Sequence, residues 1–173
     1  MDEKRLKLAE KNFTLYLKEG KIKKISKFSP IVYNTYIKNA EESLTVANTL
    51  SKNRTSSLRV VVTSYYSMFY IAQAYLYKLG YKAGDEIVHK VINESLIVEG
   101  RHKIKNHLLE EYSEEKEKAL IIVDNYLDSY EREKAKRASF QYETTDTIKE
   151  EKSLTSLRRA KEFLTLIKEI LVK

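Results

Sequence analysis

Apolar residues recur along this chain mostly every three or four positions, the spacing of one helical face, and polar punctuation separates them into six stretches. Residues 1–19 read as a short amphipathic helix with Leu6, Phe13, Leu15 and Leu17 set among charges, ended by Gly20. A basic connector follows, carrying Lys21, Lys23, Lys24 and Lys27. Ser29-Pro30 is a sharp helix start, because Ser can cap and Pro fits the first helical position without losing a needed N–H. Tyr33, Tyr36, Ile37, Ala40, Leu44, Ala47 and Leu50 then form one stripe to about Lys52. The next helix, from about Thr55 to Leu79, carries Leu58, Val61, Val62, Tyr65, Phe69, Ala72 and Leu76 on one face. Val60, Tyr66, Tyr70 and Ile71 make its other sides apolar too. A helix apolar all round is buried on most sides.

Gly80 to Gly84 reads as a turn, with Asp85 as the N-cap of a helix that holds Ile87, Val88, Val91, Ile92 and Leu96 and stops at Gly100. A basic stretch, Arg101 to Lys105, leads into a long helix whose stripe runs through Leu108, Tyr112, Ala119, Ile122, Val123, Tyr126, Leu127 and Tyr130. After Arg137 the pattern breaks in a polar, unperiodic run. Thr147 and Glu150 have capping-box spacing and open a last helix with Leu154, Leu157, Ala160, Leu164, Ile167 and Leu171 on one face.

Composition agrees with helices. Four glycines and one proline in 173 residues are too few for the frequent turns of an all-β fold. The expectation is an all-α protein, a four- to five-helix up-and-down bundle over residues 29–173 preceded by an extra amphipathic helix and basic connector over residues 1–28. The absence of Cys excludes disulfides, thiolate metal sites and cysteine catalysis. The charged start of the chain lacks the apolar core of a signal peptide, which makes the cytoplasm the expected location. No charge falls between Arg59 and Lys78, yet that interval carries Thr63, Ser64, Ser67, Gln73 and several tyrosines, so a core or dimer helix is expected there rather than a membrane span. The net charge of +7 permits a nucleic-acid partner without requiring one.

The chemistry on offer is sparse. No phosphate-cradling Gly-rich loop, zinc-protease motif or nucleophile elbow occurs, and the histidines are His89, His102 and His107. The acids between Glu110 and Glu117 lie where a helix begins, where they would oppose its positive end, so no metal site is expected. The tyrosines of residues 55–79 could stack on bases, but no basic residues interleave with them, and packing is the better account.

The run Arg59-Val-Val-Val-Thr-Ser-Tyr-Tyr-Ser-Met-Phe-Tyr-Ile-Ala-Gln-Ala-Tyr-Leu-Tyr-Lys-Leu-Gly80, followed by His89-Lys-Val-Ile, resembles the HEPN family, as does Arg137-Ala-Ser-Phe-Gln-Tyr142 before a last helix. The resemblance covers about residues 30 to 172. It implies a four- or five-helix bundle and two kinds of function. Some members are metal-independent ribonucleases of toxin–antitoxin pairs with an Arg-x(4–6)-His motif before the last helix. Others lack the motif and act as partners of small nucleotidyltransferases or as nucleotide- or RNA-binding modules.

Here Arg137 is followed after four residues by Tyr142 rather than His. Tyr titrates near pH 10 and is a poor general base at neutrality. Arg101 and His107 have the spacing but precede the long helix instead. The reading is therefore a binding module without a cofactor, with a ribonuclease using Arg101/His107 or Arg137/Tyr142, or a purely structural dimer, as alternatives. Candidate phosphate contacts are Lys21, Lys23, Lys24, Lys27, Arg101, Lys103 and Arg137, with a homodimer expected through residues 55–79 and a small nucleotidyltransferase, RNA or a nucleotide as partner.

Overall fold

The structure is a computed structural model that describes residues 2–135 and 146–172, with side chains for 2–124 and 150–172. Six helices, α1 (Glu3–Lys18), α2 (Pro30–Lys52), α3 (Ser57–Lys78), α4 (Val88–Gly100), α5 (Asn106–Ala135) and α6 (Asp146–Val172), carry nearly all of it. Two three-residue strands, β1 (Ile22–Lys24) and β2 (Tyr81–Ala83), pair antiparallel.

α2, α3, α5 and α6 form the bundle, and its directions follow from which residues meet. A four-residue turn joins α2 to α3, so the two run antiparallel. Val60 near the start of α3 clusters with Leu157 of α6, and Lys78 at its end donates to the Leu171 carbonyl, so α3 and α6 run parallel. α5 opposes α6, because His107 faces Glu162 while Glu115 meets Ser156. The result is the expected up-and-down arrangement, with α4 between α3 and α5 in sequence and α1 packed on α4.

The Ser29-Pro30 start is realised as read: the Ser29 hydroxyl accepts from the Val32 N–H, and Pro occupies the first turn. α3 is the centre. Thirteen of its 22 residues are buried, among them Tyr65, Met68, Ile71 and Leu76. Each large apolar side chain buried so contributes about 1.5–3 kcal/mol. α2, α4, α5 and α6 of the same chain pack on it, while Tyr66, Tyr70 and Gln73 stay half-buried. Tyr65, Tyr75 and Tyr77 are buried and hydrogen-bonded: Tyr75 donates to the Glu99 carbonyl (3.1 Å), and the Tyr77 oxygen accepts from the Ser29 N–H (3.1 Å). Among the described residues no helix is long and apolar enough to cross a membrane.

Several readings are corrected. The basic connector and the Gly80–Gly84 turn contain β1 and β2, extended at both ends by Ile25 N–H to Gly80 O and Gly84 N–H to Lys21 O, each 2.8 Å. Ile22 is fully buried against Phe13, Tyr16 and Val91, which joins α1, the sheet and α4 in a second small core. Arg5 strengthens that joint with a two-pronged pair to Glu94 (2.6 and 2.9 Å). Asp85 does not cap α4. Ile87 occupies the N-cap position in the left-handed region (φ 43°), with no side-chain cap, and its own side chain is exposed. On α1 the buried residues are Ala9, Phe13 and Tyr16, while Leu15 is exposed. Leu154 also lies outside the core, and Phe163, absent from the expected stripe, is fully buried. α6 begins at Asp146, which places Thr147 in its first turn rather than at the cap. Gly100 is the last residue of α4, and a Cβ there would lie 2.8 Å from Ile104 Cδ1.

Candidate functional site

β1 and β2 turn a run of lysines into a surface. Side chains alternate along a strand, so burying Ile22 sends Lys23 to the opposite face. The register sets Lys23 directly across from Lys82, and both are exposed. Like charges directly opposite cost about 0.2–1 kcal/mol. Gly20, at φ 72°, lets the Lys23 stem run over the backbone, since a Cβ there would sit 3.2 Å from Lys23 Cε. No carboxylate among the described residues pairs with Lys23, Lys24, Lys27 or Lys82. Lys24 and Lys27 are exposed beside them. Lys21 differs: Glu19 holds its ammonium at 2.7 Å, and that hydrogen bond raises its pKa.

The other candidates fall elsewhere. Arg101 is committed to Glu10 of α1 (2.6 Å), and its Nε–H donates to His102 Nε2 (3.0 Å). His107 turns toward α6, with Nε2 3.7 Å from Glu162. The two ends of the Arg-x(5)-His spacing thus engage different helices, and the structure does not assemble them into a pair. Lys103 is exposed and has no ion pair among the described residues. Arg137 and Tyr142 lie outside the described residues. A shallow groove of about 470 Å³ between the start of α5 and α6 is lined by Lys105, Arg158 and Lys161, but also by Glu162 and Glu169, so it has no single sign of charge.

His89 occupies a more structured setting. Its Nδ1 lies 2.7 Å from the Tyr65 hydroxyl, and its ring packs on Phe69 at 4.4 Å, with Tyr66 edge-on at 5.8 Å. Burial, then the nearby Lys116 ammonium, lower the imidazole pKa below 6.5, while burial raises that of Tyr65. A neutral ring and a protonated phenol share one hydrogen in this contact, its direction set by the imidazole tautomer. Because the unfolded chain binds the titrating proton more readily, the imidazole's contribution to stability falls as pH drops below 6.5. An NMR titration should find His89 below 6.5 and Lys116→Gln should move it part of the way back; a midpoint above 6.5 would contradict the burial argument.

The acids from Glu110 to Glu117 do more than oppose a helix dipole. Glu115, fully buried in the third turn of α5, accepts from Ser156, Lys118 (2.8 Å) and Arg159 (2.8 Å). Glu111 and Glu114 also face Arg159, at 3.2 and 2.8 Å. Among the described residues no three His, Asp or Glu side chains are grouped to hold a metal ion. Sequence reasoning missed Lys82 and Glu115, because each acquires its meaning from a partner distant in the chain. No protein-family model matches the sequence, and no curated protein matches it.

Proposed function

We propose that this chain is a HEPN-type helical module that binds nucleic acid through the β1–β2 ribbon. The observation that carries the reading is the cross-strand pair Lys23–Lys82, two exposed cations held side by side with no carboxylate between them. A phosphate placed across the pair removes their repulsion and releases its own counterions. The bundle behind the ribbon supplies rigidity, since Ile22 anchors β1 in the second core. The phosphate contacts number few, so the expected affinity is modest and sequence-independent.

The test is fluorescence anisotropy of a labelled single-stranded RNA across a salt series. Each phosphate neutralised contributes about 0.7 to the slope of log K against log salt. Lys23→Gln with Lys82→Gln should therefore flatten the slope by about 0.7. An unchanged slope, or no binding at 50 mM salt, would overturn the reading.

A further inference from the structure

The outer face of α1 shows a second row of cations. Lys4, Lys11 and Lys18 are seven residues apart, and at about 100° per residue they stay within roughly 40° of one line along the helix. All three are exposed and none has an ion pair among the described residues. The buried face, Ala9, Phe13 and Tyr16, is centred about 180° away, so the lysines point directly out from the protein.

The acids of α1 are occupied elsewhere. Asp2 accepts the Arg5 N–H at the N-cap, Glu3 pairs with Lys7, Glu10 with Arg101 and Glu19 with Lys21. The row therefore keeps its charge. It also runs into the ribbon: Lys18 is the last residue of α1, and Gly20, two positions on, carries the Lys23 stem.

We infer that α1 and the ribbon form one continuous track for a nucleic-acid backbone, entered at Lys82 and Lys23 and followed along Lys18 and Lys11 to Lys4. The inference rests on the nucleic-acid reading above and extends it to ligand length. The α1 row alone covers about 20 Å, the span of about six nucleotides at about 3.4 Å each, so a 6-mer covers only part of the track whereas a 24-mer covers all of it. Leu8 and Leu15, exposed beside the lysines, would also suit an anionic membrane surface, and that surface is one arm of the test.

The experiment compares wild type, the triple variant Lys4→Gln/Lys11→Gln/Lys18→Gln and the double variant Lys23→Gln/Lys82→Gln. The probes are a 24-nucleotide and a 6-nucleotide oligouridine and vesicles of phosphatidylserine and phosphatidylcholine. All five positions are exposed, and circular dichroism checks that the variants fold. The triple variant should flatten the 24-mer salt slope by about 2 and the 6-mer slope by less. A 24-mer slope unchanged in the triple variant but flattened in the double variant overturns the track and keeps the ribbon. Vesicle binding lost in the triple variant, with its RNA slope intact, overturns the track in favour of a membrane-facing α1. Absence of salt-dependent RNA binding by wild type overturns the ribbon reading, and the track with it.

Discussion

Arg159→Ala should cost the fold about 3 kcal/mol at pH 7, because it strips a buried carboxylate of one of its two counterions, Lys118 being the other. Glu115 is fully buried, and burial is the largest influence on its pKa, pushing it up. Hydrogen bonds from Lys118, Ser156 and Arg159 together outweigh burial and hold the carboxyl below 4.5. Wild type thus gains stability from Glu115 above pH 4.5 and loses it as pH falls through the lowered folded value. Without Arg159, Glu115 would keep Lys118 and Ser156 but lose its second cation, with Glu111 and Glu114 left close by. The Glu115 carboxyl then titrates higher than in wild type, so the variant's deficit should shrink on acidification. Urea unfolding at pH 7 and pH 4 measures both effects. A loss below 1 kcal/mol at pH 7, or a deficit that grows in acid, would show that Arg159 is only a solvated surface cation. Arg159→Lys should fall between, since an ammonium keeps the charge but not the fork that reaches three carboxylates.

That cluster also marks where the sequence stops being legible. An acid-rich stretch early in a helix looks solvated until Arg159 arrives 44 residues later, on a helix whose proximity only the fold decides. The ribbon is hidden for the same reason. Ile22-Lys-Lys and Tyr81-Lys-Ala are too short to show alternation, and each becomes a strand by pairing with the other across nearly sixty residues. Local chemistry was readable where it acts locally. Ser29-Pro30 carries its own cap, and the all-round apolar surface of α3 announces a central helix whatever surrounds it. Ile87 fails as a local reading because its left-handed backbone is one that a β-branched residue disfavours, so the surrounding packing must impose it. The basic residues were visible as types, but their roles depended on neighbours: Lys21 and Arg101 are neutralised by Glu19 and Glu10, whereas Lys23 meets another lysine.

Phe163→Ala is expected to remove about 3–5 kcal/mol, the cost of emptying a large, fully enclosed aromatic site. Phe163 is wholly buried although Leu164, next to it, seemed sufficient to complete the stripe of α6. Position 163 follows Ala160 by three and precedes Ile167 by four, so the true apolar face is wider than one row. α6 needs that width because α3 and α5 both lie against it. The ring stacks on Tyr112 (5.4 Å), Tyr112 packs on Tyr65 (6.0 Å), and Tyr65 holds His89 by its hydroxyl. One column of rings therefore spans α6, α5, α3 and α4. Deleting its base lets Tyr112 relax into the vacated space and loosens Tyr65, so the His89 ring resonances should shift along with the fall in stability. Phe163→Leu keeps much of the volume and should cost about a third as much. Thermal or urea unfolding gives the energies, and the His89 signals report the column. A loss under 1 kcal/mol for Phe163→Ala would mean the core closes over the gap, and an unmoved His89 spectrum would mean the rings pack in pairs without transmitting the change.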